Sequence, residues 1–182
     1  MDAIVQATAY ILRKKGYAEL TTNGIAEKAG VNIASLYQYF PNKEAILAEL
    51  LRRHAAEGRT KALKTVRASK GRSLATTVRR LVEGALAEHS VDPDLHRILT
   101  TEAMRLGLQR IETESDAAIE EESARWVATT KRRNPELALW VAKTAVHAVI
   151  HVAYLERPED AQKSAVLAEE LTRLVVRYLR AP

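Results

Sequence analysis

Apolar residues recur along the chain at intervals of three and four positions. Ile4, Ala7, Thr8, Ile11 and Leu12 share one helical face, as do Leu74, Val78, Leu81, Val82 and Leu86, and again Leu167, Leu171, Leu174, Val175 and Tyr178. No stretch alternates apolar and polar residues around a hairpin turn. The pattern predicts an all-α chain of about nine helices. Glycines and prolines punctuate it. Gly16 suits the end of the first helix, and Gly30 the end of the second. Thr21 or Thr22 can cap the second helix and Asn32 the third. Pro41 stops the third helix, and Pro93, Pro135 and Pro158 stand where new helices should open.

One segment carries more than periodicity. Residues Thr21 to Leu47 read TTNGIAEKAGVNIASLYQYFPNKEAIL. The spacing predicts a short helix over Thr22–Ala29, a tight turn at Gly30-Val31-Asn32 and a second short helix over Ile33–Tyr39. Two helices joined by a short turn containing glycine form a helix-turn-helix. Ile25, Ala26 and Ala29 should face inward, with Val31 and Leu36 closing the angle between the helices. The second helix opens on small or polar residues and could enter a major groove ~12 Å wide.

Gly16-Tyr17, Thr21, Ile25-Ala26, Ala29-Gly30-Val31, Leu36-Tyr37, Phe40, Lys43-Glu44 and Leu47 together resemble the DNA-binding domain of the TetR family of bacterial transcriptional regulators. The resemblance implies an N-terminal three-helix domain at residues 1–47, with the helix-turn-helix at about 21–40, and a C-terminal helical ligand-binding and dimerisation bundle at 48–182. It further implies an Ω-shaped cytoplasmic homodimer, a double-stranded palindromic operator and a small apolar effector whose binding releases a repressor. Position by position, Thr21 and Thr22 would meet a phosphate, and Ile33, Ala34, Ser35 and Gln38 would face base edges. Tyr37 would reach backbone or a thymine methyl, Tyr39 a phosphate, and Lys43 a phosphate as a point charge. Phe40 would be a core anchor; Tyr10 and Tyr17 read as core or interface packing rather than function. Two departures stand out. Tyr39 occupies a position more often held by His, and almost no chain precedes the first helix to form a basic arm.

Charge refines the picture. The 182 residues carry a net charge of +5, which suits a polyanionic partner. Residues 1–50 are nevertheless neutral, with five basic and five acidic side chains, and the expected recognition helix has no Lys or Arg. Ten Lys/Arg and one acid lie between Arg52 and Arg80, whereas six acids and no Lys/Arg lie between Glu112 and Glu122. These stretches read either as solvated helix faces or as a DNA-facing and an outward-facing surface. Cysteine is absent, so the chain has no thiolate site and no disulfide, and it suits a reducing compartment. No uninterrupted apolar run approaches the ~20 residues of a membrane span.

In the larger part, a helix over about 43–66 would join the two domains, with Gly58 marking either a bend or a surface accident. The last two helices, at about 136–156 and 159–180, are the dimer candidates; intra-subunit core is the alternative. Candidate effector-lining residues are Leu99, Met104, Leu108, Trp126, Trp140, His147, His151 and Tyr154. His147 and His151 stand four apart, a spacing that can hold a metal, but packed core or interface histidines are the preferred reading and no metal is assigned. His89, His96 and Glu102 form no catalytic set, and no phosphate loop, nucleophile elbow or cofactor motif is present. No enzymatic activity and no cofactor are therefore expected. A helical metal-binding or catalytic bundle centred on His147 and His151, and a dimer that no longer reads DNA, are the competing classes.

Overall fold

The computed structural model describes residues 1–108, 120–121, 123–125, 128, 132–157, 159, 161 and 164–180. Among these, eight helices are bounded: α1 (Asp2–Lys15), α2 (Thr22–Ala29), α3 (Ile33–Tyr39), α4 (Lys43–Ala68), α5 (Leu74–Val91), α6 (Pro93–Leu106), α7 (Pro135–Glu156) and α8 (Ser164–Arg180). No described residue lies in a strand, so the fold is all-α. Pro158, Trp126 and most of the acidic stretch at 112–122 lie outside the described residues.

The local signals act where expected. The Thr21 side chain accepts from the backbone N–H of Gly24 at 3.1 Å, and Asn32 accepts from Ala34 at 2.8 Å, so each short helix begins with a satisfied orphan donor. Gly30 sits at φ 66°, ψ 31°, the left-handed conformation that reverses the chain after α2. Pro93 and Pro135 occupy first-turn positions, behind the capping side chains of Asp92 and Asn134.

By packing, the chain forms two units, Met1–Glu57 with Asp92–Glu114, and Gly58–Val91 with Ser115–Pro182. This is a different partition from the motif-based one at 47/48. In the first unit, α1 packs on α2 and α6, and α2 on α3. Ile4, Leu12, Leu20, Ile25, Leu36, Ile46, Leu47, Leu51 and Leu99 are almost wholly sequestered from solvent. Thr8 is buried on the same face and returns its hydroxyl to the Ile4 carbonyl at 2.9 Å, which removes the cost of an unpaired polar group. Ion pairs fasten the rim: Arg53 bonds Asp2 at 2.7 Å and Glu49 at 2.9 Å, and Arg13 bonds Asp92. Tyr10 is no core residue. It is exposed, and the Lys28 ammonium lies 3.8 Å from its ring centre.

Tyr17 is the polar centre of this unit. Its hydroxyl donates to Glu44 at 2.8 Å, while Lys43 and Arg105 lie over its ring at 4.5 and 4.8 Å. Burial, then the Glu44 carboxylate, push the phenol up to about 12. Burial opposes the charge on Glu44. The Tyr17 hydroxyl, a backbone N–H, Lys43 and Arg105 outweigh it and hold the carboxyl below its ordinary value.

The second unit is built by α8 lying along α5 and against α7. Val78, Val82, Leu86, Ala138, Ala142, Ile150, Ala168, Leu171, Val175 and Leu179 form its core. Small residues on α7 (Ala138, Ala142) permit close approach. Gly58 lies beside the Glu88 carboxylate. A Cβ there would stand 2.8 Å from the Glu88 carboxylate, which bonds Lys61 at 2.9 Å. Among the described residues α7 alone is long and apolar enough, by length and composition, to cross a membrane. Lys143, His147 and His151 interrupt its apolar run, which is why the sequence shows no continuous span.

Two outcomes follow. Leu36→Ala leaves a cavity in the first unit and should lower the unfolding free energy by about 2–5 kcal/mol in urea titrations. A loss under about 0.5 kcal/mol would contradict its anchoring role. Tyr17→Phe removes a hydrogen bond to ionised Glu44, so the carboxyl should titrate at higher pH, readable by NMR. The depressed native value means that Glu44 stabilises above its unfolded pKa and loses this as pH falls through the native one; Tyr17→Phe should shrink that acid-side dependence.

Candidate nucleic-acid interface

The α2–turn–α3 segment divides its residues cleanly. Leu36 is 0% exposed and its neighbours Ile25, Ala26 and Phe40 are buried with it. With Leu36 pointing inward, the helical repeat turns Tyr37 and Gln38 outward. Tyr37 is 50% exposed and Tyr39 58% exposed; Ala34 and Gln38 are also exposed, and Ser35 is half-buried. Ile33 is half-buried against the core and so offers only part of its side chain outward. The outer surface of α3 is thus a strip of methyl, hydroxyl, amide and phenol groups.

The flanking residues are tied to this strip. Thr22 Oγ1 and the Tyr37 hydroxyl lie 3.0 Å apart, so the start of α2 orients the Tyr37 ring of α3. Thr21 is exposed; its oxygen serves Gly24, but a hydroxyl that accepts one bond keeps its own proton to donate. Lys43 is half-buried, and its ammonium donates to the Leu20 carbonyl at 2.9 Å. That bond links α4 to the residue before the Thr21 cap and leaves two of the three ammonium protons for another acceptor. Sequence spacing did not reveal this bracing role, because the Leu20 carbonyl becomes a partner only in three dimensions.

Ion pairing trims the basic stretch after Arg52. Arg52 and Arg53 bond Glu49, Lys61 bonds Glu88, and Arg79 bonds Glu83 at 2.8 Å. Part of its charge is therefore spent within the chain.

The effector-lining candidates scatter. In the first unit Leu99 is core, Leu108 packs half-buried against that core, and Met104 is 60% exposed. In the second unit Trp140 is 62% exposed, whereas His151 is buried and His147 and Tyr154 are half-buried. Burial holds the His147 imidazole below its ordinary pKa. Trp126 is outside the described residues. A groove of about 390 Å³ in the second unit is lined by Lys64, Thr65, Ala68, Arg80 and Glu83, none of them a candidate. His89 was missed: it approaches His151 and Tyr154 from α5, a meeting that no spacing within one helix announces.

Similarity to known proteins agrees with this geometry. The family model described as bacterial regulatory proteins, tetR family, matches residues 4–50, and a tetracyclin repressor-like C-terminal domain matches residues 73–179. The HTH-type transcriptional regulator YvkB of Bacillus subtilis is 42% identical over 53 residues, and EthR of Mycolicibacterium smegmatis 39% over 51. These matches span 29% and 28% of this chain but only 28% and 24% of the relatives' own lengths. Over whole chains the fold is shared with FadR of B. subtilis (TM-score 0.70, 19% identity, 96% and 97% of the two chains covered). It is shared also with a TetR-family regulator from Mesorhizobium loti (TM-score 0.68, 19% identity, 98% and 94% covered). A helix-turn-helix domain and a C-terminal domain, both matched, make this chain a member of the tetR family of bacterial regulatory proteins.

Proposed function

We propose that this chain is a ligand-responsive repressor that binds a palindromic DNA operator as a homodimer and is released by a small apolar effector. The observation that carries the reading is the outward strip of α3, held by the burial of Leu36 while Ala34, Tyr37, Gln38 and Tyr39 face solvent. On DNA, Ala34, Ser35 and Gln38, with the outer part of Ile33, face base edges, and Tyr37 meets backbone or a thymine methyl. Thr21, Thr22, Tyr39 and Lys43 meet phosphates, the last through the ammonium protons that Leu20 does not take. On this reading the chain controls transcription rather than catalysing a reaction, and it does so in the cytoplasm.

The dimer is assigned to α7 and α8. Leu137, Trp140, Val152 and Leu155 are exposed along one stripe of α7, joined by the smaller exposed Thr144 and Ala148 at helical spacing. Val166 and Leu174 of α8 are exposed as well. A second copy would cover these residues in a four-helix bundle. An effector of small-molecule class is supported by two proteins of like fold: FadR of B. subtilis was solved with stearoyl-CoA, and a TetR variant of Acinetobacter baumannii with minocycline.

Selection from a random DNA pool should return a near-palindrome with half-sites ~34–36 Å apart. In a salt-controlled shift assay Lys43→Ala should weaken binding to all sequences and lower the salt slope by about one. Ser35→Ala and Gln38→Ala should instead relax base preference; unchanged affinity in all three would overturn the assignment. The wild-type chain, of 20.3 kDa, should sediment as a dimer at micromolar concentration, and Trp140→Glu with Val152→Glu as a monomer. A monomeric wild type would remove the α7–α8 interface.

A further inference from the structure

Arg105 stands in the last turn of α6, which ends on Gly107 in the left-handed conformation at φ 70°. Leu108 returns its N–H to the Ala103 carbonyl at 2.8 Å, and Leu106 and Leu108 pack against the core of the first unit. The backbone that carries Arg105 is thereby held on both sides. Glu102, one turn earlier, bonds the guanidinium at 2.6 Å and steers it along the helix. The Arg105 side chain itself is 54% exposed, so it anchors no core.

Three elements meet at the Tyr17 ring. The Arg105 guanidinium comes to it from α6 and the Lys43 ammonium from the start of α4, while the hydroxyl holds Glu44. Two cations thus share one ring and one carboxylate. Burial raises the Glu44 carboxyl, but the Tyr17 hydroxyl, a backbone N–H, Lys43 and Arg105 together hold it below its ordinary value. Glu44 is therefore ionised at neutral pH, and both cations offset its charge. Without Arg105, the ring and the carboxylate would act on Lys43 alone. Coulomb attraction would then hold the ammonium back from an outside acceptor.

We propose that Arg105 is a positioning residue for DNA binding. By occupying the Tyr17 ring and offsetting Glu44, it keeps the Lys43 ammonium braced on the Leu20 carbonyl with protons to spare for a phosphate. Its own guanidinium meets no DNA. This rests on the reading of Lys43 as a phosphate contact, and adds to it a residue that lies outside the helix-turn-helix and far along the chain.

A double-mutant cycle tests it, with the full chain, the DNA returned by selection and the salt-controlled shift assay. Arg105→Gln should weaken binding to all sequences by roughly two- to fivefold, with base preference unchanged. In the Lys43→Ala background the same change should have no further effect. Arg105→Lys, which keeps the charge, should bind like the wild type. NMR titration should find the Glu44 carboxyl at higher pH in Arg105→Gln than in the wild type. Far-UV circular dichroism checks each fold, and Arg105→Met takes over should Arg105→Gln unfold. A full loss on top of Lys43→Ala would mean that Arg105 meets DNA itself or acts elsewhere, and overturns the proposal. So does an unmoved Glu44 titration, or unchanged affinity in Arg105→Gln where Lys43→Ala binds weakly. A harmless Lys43→Ala instead removes the underlying reading of Lys43, and the proposal with it.

Discussion

The seven residues of α3 cannot hold a helix by themselves, because a nucleus that short costs more than its few hydrogen bonds return. Leu36 supplies what is missing. Its complete burial against Ile25, Ala26 and Phe40 stabilises the segment by roughly 1.5–3 kcal/mol and fixes its rotation about its own axis. Asn32 fixes where the helix starts, and Gly30 the angle at which the chain arrives. The outward strip of α3 depends on that one inward side chain, since a helix rolled by a single position would turn a leucine to solvent.

Neutrality of the first fifty residues shapes how such a surface works. Attraction to a polyanion cannot come from α3, which has no Lys or Arg. In the proposed complex it would fall to helix-start amides, hydroxyls and the protons of Lys43. The same residues also hold the domain together: Thr21 caps α2, Thr22 orients Tyr37, and Lys43 braces Leu20. Contact groups that are pre-bonded lose less freedom on association, so a modestly charged face need not be a weak one.

What the sequence could disclose was local. The caps at Thr21 and Asn32 and the turn at Gly30 depend on residues within three positions of one another, and each is visible as a short string. The inward face of α1 is equally plain, because periodicity alone selects Ile4, Ala7, Thr8, Ile11 and Leu12. Contacts between distant segments were not visible. Tyr10 and Tyr17 read alike as core or interface packing, yet Tyr10 is exposed beneath Lys28 whereas Tyr17 receives charges from α4 and α6. Trp140 reads as an effector-lining candidate in the sequence, and its exposure emerges only when the opposite face of α7 is seen to fill the unit's interior. His89 belongs to the same class of surprise.

Gly58 shows how far the absence of one methyl group reaches. A glycine inside a helix costs about 1 kcal/mol relative to alanine, and α4 tolerates it. The vacated volume is filled by the Glu88 carboxylate, so positions 58 and 88 share one space. Because that carboxylate is the far end of a flexible side chain, an alanine at position 58 would be met by a rotation of Glu88 rather than by a movement of either helix.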